Sequence, residues 1–535
     1  MKALRQMQER KWLLLLIVAL AVSAILKATL VWLDVIDFTS DEGVVALMAR
    51  HTTQGKWPVF YYGEAYVGSL GATITAGAFL LLGESVATAR IVQIAYYAGT
   101  ILFTYLLAQR LFGHKAALVT ALMMALPPVM VTLYTTAGIG AYGETLLFGT
   151  VLLWLGHRLA HEWADKWIWW LVWGAIAGLG FWSLGLIVVY ITPVAALWLI
   201  RFDARHWPRF LLAVLGFLLC SSPWWIYDFT HNHACFRVFF ASSEAIRANL
   251  PSPLLTRLEL FWLLGVPALI GLRFPWAANY ILVYLAPFVL IFYIGVLVGT
   301  RRRWVSLLPI GKSGVLLLAL LVVSFTLLYL GSQVGVDVTG RFLLPMYPPL
   351  CIAVGGWWSG LRSRTQAWGR VALTLILAFN LSGVVLGAMG PAGLTTLYFP
   401  AQQVGNAHDE ELIHFLLSNK MPYGYSHHWV SFKIAFLSQE QVILTPLLPY
   451  QIAPDHDLDH ADRYPPYTAL AESAANPVYV TSNQPWLDDL LSQRLMERGV
   501  TYEETRIGPY HVFYRLSLPM SPKELGLFPA SGRGR

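Results

Sequence analysis

Long apolar runs set the class of this chain. The first covers 12–33 and is interrupted only by Lys27. Others cover 87–109, 116–134, 144–160, 168–182, 185–200, 210–227, 279–299, 313–331, 342–358 and 371–389. A helix needs about 20 apolar residues to cross the hydrocarbon core. On that basis the pattern predicts about eleven transmembrane helices, with 168–200 read either as two short helices broken around 178–185 or as one long tilted helix. The first run exceeds the roughly 7–15 apolar residues of a secretory signal, so it is read as a retained span. From about Ala401 the chain turns polar and has no further spanning run. There, 409–420 and 485–498 read as helices and 441–445 and 478–481 as strands. Residues 501–507 and 510–516 read as a hairpin around Gly508-Pro509. The expectation is a mainly α, polytopic membrane domain over 1–390 and a small extracytoplasmic α/β domain over 401–518. A disordered Pro/Gly/Ser-rich tail is expected over 519–535.

The segment between the first two runs, 34–84, is too polar to span cleanly. It holds an amphipathic stretch over 42–54, with Val44, Val45, Leu47 and Met48 on one side, and a short apolar patch over 68–82. Both are expected as helices lying on the outer membrane surface. If 68–82 spanned instead, everything downstream would invert.

Composition agrees with a membrane protein. Hydrophobic residues make up 57% of the chain and charged ones 13%, against about 25% charged in soluble domains. That excludes a soluble enzyme, a disordered chain and a fibrous one. The 22 Trp and 25 Tyr suit membrane interfaces. The net charge of +7 is a topology signal rather than a nucleic-acid footprint. Basic residues follow the even-numbered runs: Arg110 and Lys115; Arg158 and Lys166; Arg201, Arg205 and Arg209; Arg301, Arg302, Arg303 and Lys312; Arg362, Arg364 and Arg370. The positive-inside rule then places these clusters and the N-terminus in the cytoplasm, and the C-terminal domain outside the plasma membrane. Cys220, Cys235 and Cys351 are too few and scattered for a disulfide framework or a Cys-based metal site. No Walker A or Gly-x-Gly-x-x-Gly motif is present.

Candidate chemistry lies just after the first run, in Asp37-Phe38-Thr39-Ser40-Asp41-Glu42-Gly43. Asp41 and Glu42 open a helix, with Thr39 or Ser40 as N-cap, where acids are favoured by the helix dipole. Two readings stand here: plain helix-end acids, or a general base that takes a proton from an attacking hydroxyl. Arg341 reads as an interfacial anchor or as a phosphate clamp, its planar fork matching phosphate oxygens. Lys56 is a second cation. Lys27 reads as a snorkelling residue that could also reach a phosphate. Glu144 reads as a helix N-terminal acid or as an acceptor- or metal-binding group. His427, His428, His456 and His460 match no zinc spacing and read as solvated loop residues.

Several motifs carry a family resemblance. They are Asp41-Glu42; Arg50 with Gly55-Lys56-Trp57-Pro58; and Tyr62-Gly63-Glu64-Ala65-Tyr66-Val67-Gly68-Ser69-Leu70. Gly140-Ala141-Tyr142-Gly143-Glu144, Ser222-Pro223-Trp224-Trp225 and Gly340-Arg341-Phe342-Leu343-Leu344-Pro345-Met346-Tyr347-Pro348 join them. Together they resemble the GT-C glycosyltransferases, in the bacterial branch related to protein O-mannosyltransferases and aminoarabinose lipid A transferases. The resemblance implies a multi-spanning, inverting transferase that uses a polyprenyl-phosphate sugar and acts on a lipid, glycan or protein acceptor. It implies Asp41 as the catalytic residue with Glu42 beside it, Arg341 and Lys56 toward the donor phosphate, and Glu64, Tyr66, Tyr142 and Glu144 toward the acceptor or cleft. It fixes no cofactor and leaves room for a divalent metal. Departures are the absence of an MIR-like insert, of a Trp-Trp-Asp motif, since Ile226 follows Trp225, and of Asp-Pro in the second outer loop. The alternative class, a transporter or lipid flippase, would show internal repeats and mid-span charges. The acids here gather at one face and no repeat is visible.

Overall fold

The computed structural model describes residues 2–162, 165–201, 207–237, 253–307, 313–391, 393–449 and 462–527. Arg205, Lys312, His456, His460 and 528–535 lie outside them. The chain forms two compact units. One comprises 1–35, 66–71 and 90–390; the other joins 36–65 and 72–89 to 391–535.

The first unit is helical. Among the described residues, five helices are long and apolar enough to cross a membrane: Glu9–Trp32, Val86–Phe112, Val283–Thr300, Gly314–Gly331 and Thr365–Ala388. Trp207–Cys220 and Ser222–Thr230 form a further pair bent by 57°. The expected count of eleven is thus not reached by length and composition. Proline explains part of the difference. Pro127 and Pro128 divide the expected run 116–134 into His114–Ala125 and Val129–Tyr134, because proline removes a helix donor and clashes with the preceding turn. Over 168–200 there are two shorter helices, Trp167–Ser183 and Gly185–Ile200, separated at Leu184.

Some of the basic residues lie together in this unit. Arg110 bonds His157 and Glu162, Arg209 pairs with Asp165, and Arg201 bears electrostatically on His157 and His161. Lys27 does not snorkel. It is fully buried, and its Nζ donates to the carbonyls of Thr132 and Thr135 (3.1 Å each) and to the hydroxyls of Thr135 (2.6 Å) and Thr136 (2.9 Å). The ammonium also lies 4.5 Å from the Tyr97 ring centre. These carbonyls belong to the C-terminal end of Val129–Tyr134, the negative end of a helix, so a buried cation is stabilised there.

The second unit is α/β. Its five-stranded sheet runs in the order Ile443–Thr445, Tyr423–Tyr425, Val478–Ser482, Tyr510–Tyr514, Glu503–Ile507. The first three strands are parallel and the last two pair antiparallel. Asp409–Ser418 and Pro485–Glu497 supply the expected helical segments, and His428–Leu437 and Pro465–Glu472 add two that the apolar pattern did not reveal. Residues 519–527 depart from the expected disorder. Met520, Leu525 and Leu527 pack in the core with Tyr479 and Leu487, and the Tyr479 hydroxyl donates to the Met520 carbonyl at 2.6 Å. Three apolar residues in a short Pro/Gly-containing stretch suffice to anchor it.

The helix Ser40–Thr53 is packed against protein rather than one-sided: twelve of its residues are buried. Its partner is His428–Leu437. The contact is close: a Cβ on Gly43 would stand 2.8 Å from the backbone carbon and oxygen of Phe432. The Ser40 hydroxyl accepts from the amides of Phe432 (3.2 Å) and Lys433 (3.3 Å), so it does not cap its own helix. The chain leading in is fixed too. The Asp37 amide donates to Leu394, Asn406 spans Ile36 and Phe38, and Thr395 donates to the Asp37 carboxylate. Gly43→Ala is therefore expected to lower stability by about 1–3 kcal/mol, the usual penalty of overpacking where only backbone can move. A melting curve in detergent checks it, and an unchanged midpoint would refute the contact.

Candidate active site

Asp41 leads the first turn of the buried helix Ser40–Thr53, and its neighbours come from the far end of the sequence. Its Oδ1 lies 3.2 Å from His428 Nε2 and 3.2 Å from Arg463 Nη2. The same Arg463 nitrogen lies 3.2 Å from Glu64 Oε1. One guanidinium thus bridges two acids from the first loop. Gly63, at φ +73°, makes room for it: a Cβ there would sit 2.9 Å from Arg463 Cγ. The Asp41 side chain is 28% exposed, that of Glu64 22%, and that of His428 only 4%. Glu42 is 1% exposed. Of the adjacent pair, Asp41 alone presents its carboxylate to an incoming group. Glu42, beside it, is buried.

The histidines expected as solvated loop residues are buried instead. His427 bonds Ser482 at 2.7 Å, and burial, with His428 and Lys433 nearby, pushes its pKa down to about 3, so it stays neutral. His428 opens the helix His428–Leu437, which the strand Tyr423–Tyr425 delivers to the acid loop. Sequence reading missed both Arg463 and His428 as site residues, since a lone arginine and a His pair without ligand spacing carry no signal.

A second polar network lies in the same unit. His51 bonds Tyr62 at 2.7 Å through Nδ1 and Glu440 at 3.0 Å through Nε2, and Tyr467 donates to Glu440 at 2.8 Å. Burial alone would raise the Glu440 pKa, but these bonds, with the charges of His51 and Arg50, hold it down at about 2. Lys56 joins here rather than at the acids: its Nζ donates to the Tyr464 hydroxyl at 3.3 Å, and the Tyr464 ring packs on His51 and Tyr62.

The remaining candidates belong to the helical unit. Arg341 follows Gly340 at the start of a 3₁₀ turn, Arg341–Met346. Its Nε lies 3.4 Å from Asp337 Oδ1, while Asp337 Oδ2 accepts from Thr339 and Gly340 at 2.7 Å each. The guanidinium stands over the Phe342 ring, and Tyr142, Tyr134 and Tyr66 also act on its charge. Tyr142 packs edge-on against both Tyr134 and Phe342. Arg341 is partly exposed, a cation framed by phenols. Glu144 stands in the first turn of Tyr142–Leu159. It is buried, and neither carboxylate oxygen finds a partner among the described residues beyond its own backbone amide. Among the described residues, no group of three or more His, Cys, Asp or Glu is arranged to hold a metal ion.

Comparison with known proteins follows the same lines. Residues 68–227 match the family model described as dolichyl-phosphate-mannose-protein mannosyltransferase. No curated protein matches the chain. Among solved structures, the chain is similar to ArnT from Cupriavidus metallidurans bound to undecaprenyl phosphate. The TM-score is 0.58 at 16% identity, covering 95% of this chain and 98% of that one. Apo ArnT from the same organism gives a TM-score of 0.62 at 15% identity, with the same coverage. The archaeal oligosaccharyltransferase AglB from Archaeoglobus fulgidus, in complex with an inhibitory peptide and a dolichol-phosphate, gives 0.52 at 12% identity. There the match covers 95% of this chain and 74% of AglB. The chain has the GT-C fold of these membrane glycosyltransferases.

Proposed function

We propose that this GT-C chain is a membrane glycosyltransferase that moves a sugar from a polyprenyl-phosphate donor to an acceptor hydroxyl, with Asp41 as general base. The observation that carries the reading is the partly exposed Asp41 carboxylate held between His428 and Arg463. ArnT and AglB, which share the fold, are seen with undecaprenyl phosphate and dolichol-phosphate respectively. The acceptor oxygen attacks the anomeric carbon and gives its proton to Asp41. The bond from that carbon to the phosphate oxygen breaks, and the polyprenyl phosphate leaves with the electron pair. Such a leaving group is already anionic, so it needs cations rather than a proton donor. Inversion follows from a single displacement. Arg341 is the proposed donor-phosphate cation, with Tyr66, Tyr142 and Glu144 proposed toward the acceptor. On the positive-inside rule we propose that the basic clusters after the even-numbered runs face the cytoplasm and that the Asp41 loop and the C-terminal domain lie outside.

The test is transfer of labelled sugar from a polyprenyl-phosphate donor by the purified chain in nanodiscs. Arg341→Ala is expected to weaken donor binding more than Arg341→Lys does. Lysine keeps the charge but loses the two-pronged fork, and charge-assisted bonds to phosphate are about twice as strong as neutral ones. Wild-type donor affinity in both variants would show Arg341 to be an anchor.

A further inference from the structure

We propose that a cleft built around Arg110 and Arg158 in the helical unit binds the phosphate of an anionic membrane phospholipid. It has a volume of about 410 Å³ and is lined by Leu106, Gln109, Arg110, His114, Trp154 and Arg158. Three helix ends build it: the last turns of Val86–Phe112 and Tyr142–Leu159 and the first turn of His114–Ala125. This site shares no residue with the proposed transfer chemistry.

The lining is two-faced. Leu106 and Trp154 offer an apolar wall; two guanidinium groups and the polar ends of Gln109 and His114 offer the other. Arg158 lies over the Trp154 ring at 5.0 Å, which spreads its fork beside the wall. Arg110 is oriented by its Nε bond to His157 at 2.8 Å. A guanidinium fork matches phosphate oxygens, and an apolar wall beside it matches the glycerol and acyl carbons that follow.

Depth supports a lipid over a soluble anion. Trp12 stacks on His114 at 5.4 Å, and Trp154 lines the cleft itself. Tryptophan concentrates at headgroup level, so these rings put the cleft mouth where lipid phosphates lie. Basic pockets between membrane helices on the cytoplasmic side are suited to such headgroups. Arg201 adds a third positive charge close by, through its action on His157 and His161.

One acid shares the site. Glu162 Oε1 accepts from Arg110 Nη1 at 2.7 Å, and Oε2 lies 3.7 Å from Arg158 Nε. It is half exposed, on the chain just beyond the helix end, and bridges the two arginines as a phosphate would. Glu162 is thus a placeholder that the lipid phosphate displaces.

The experiment measures phosphatidylglycerol retained by the full chain after exchange into detergent, read by native mass spectrometry, with phosphatidylcholine as the neutral comparison. Arg110→Gln with Arg158→Gln should lower phosphatidylglycerol retention by on the order of tenfold and leave phosphatidylcholine unchanged. Arg209→Gln removes a charge paired with Asp165 outside the cleft and should change nothing. Glu162→Gln should raise retention, which keeps the proposal falsifiable if the double variant fails to fold. Equal retention in the double variant and the wild type, or a fall with Glu162→Gln, would overturn it. Displacement of phosphatidylglycerol by millimolar inorganic phosphate would assign the cleft to a soluble phosphate and overturn the lipid reading.

Discussion

Asp41→Asn is expected to abolish sugar transfer while the chain still inserts and folds. The amide keeps the size of the carboxylate and can still meet His428 and Arg463 with its carbonyl oxygen. It cannot take the proton of an attacking hydroxyl. General-base assistance contributes about 10²–10⁴ in rate, so kcat should fall by that factor with donor KM little changed. The melting midpoint should move little, because Asp41 is partly exposed and its pairings are shared: Arg463 also holds Glu64. Labelled-sugar transfer at saturating donor, with a melting curve on the same sample, makes the measurement. Full activity in folded Asp41→Asn would remove Asp41 from the chemistry, and Glu64, its neighbour across Arg463, would be the next carboxylate to examine.

What the sequence disclosed follows from how local each signal is. A spanning helix is a contiguous apolar run, so Glu9–Trp32, Val86–Phe112 and Thr365–Ala388 are visible without a structure. The acid pair after the first run is equally local. A lone charge in a run gives no hint of the carbonyls that Thr132 and Thr135 bring to Lys27 from over a hundred residues away. The surroundings of Asp41 were invisible for the same reason. His428 and Arg463 lie near the other end of the chain, and no period or spacing connects them to the first loop. The packing of the helix Ser40–Thr53 is hidden for a different reason. Val44, Val45, Leu47 and Met48 read as one apolar side fit for lipid, but Gly43 and Ala46 on other sides are small enough to pack against protein. Small residues signal close approach, and an amphipathic pattern alone does not distinguish a bilayer from a neighbouring helix.

That packing changes what removal of the C-terminal domain should do. An independent lid could be cut away, leaving donor binding and slow hydrolysis intact. In the structure, 36–65 and 391–535 are instead parts of one unit. Cutting after Met389 removes the helix His428–Leu437 that covers Ser40–Thr53, the Thr395 and Asn406 side chains that fix Asp37 and Phe38, and the Asp41 partners His428 and Arg463. Val44, Leu47 and Met48 are now 0–1% exposed. Burying an aliphatic side chain is worth about 1.5–3 kcal/mol, so baring three costs several kcal/mol, a large part of a domain's usual 5–15 kcal/mol. The first loop should therefore unfold in the truncated chain, and transfer should fall below detection, at least as far as in Asp41→Asn. Protease sensitivity of 36–65 in membranes, compared with the full chain, reports the unfolding directly. The isolated segment 391–535 should likewise fail to fold alone, because Phe432 and Lys433 lose the Ser40 hydroxyl and the close cover of Gly43. A correctly inserted truncation that keeps a protease-resistant first loop and hydrolyses the donor would show the acid loop to be self-supporting and would overturn this prediction.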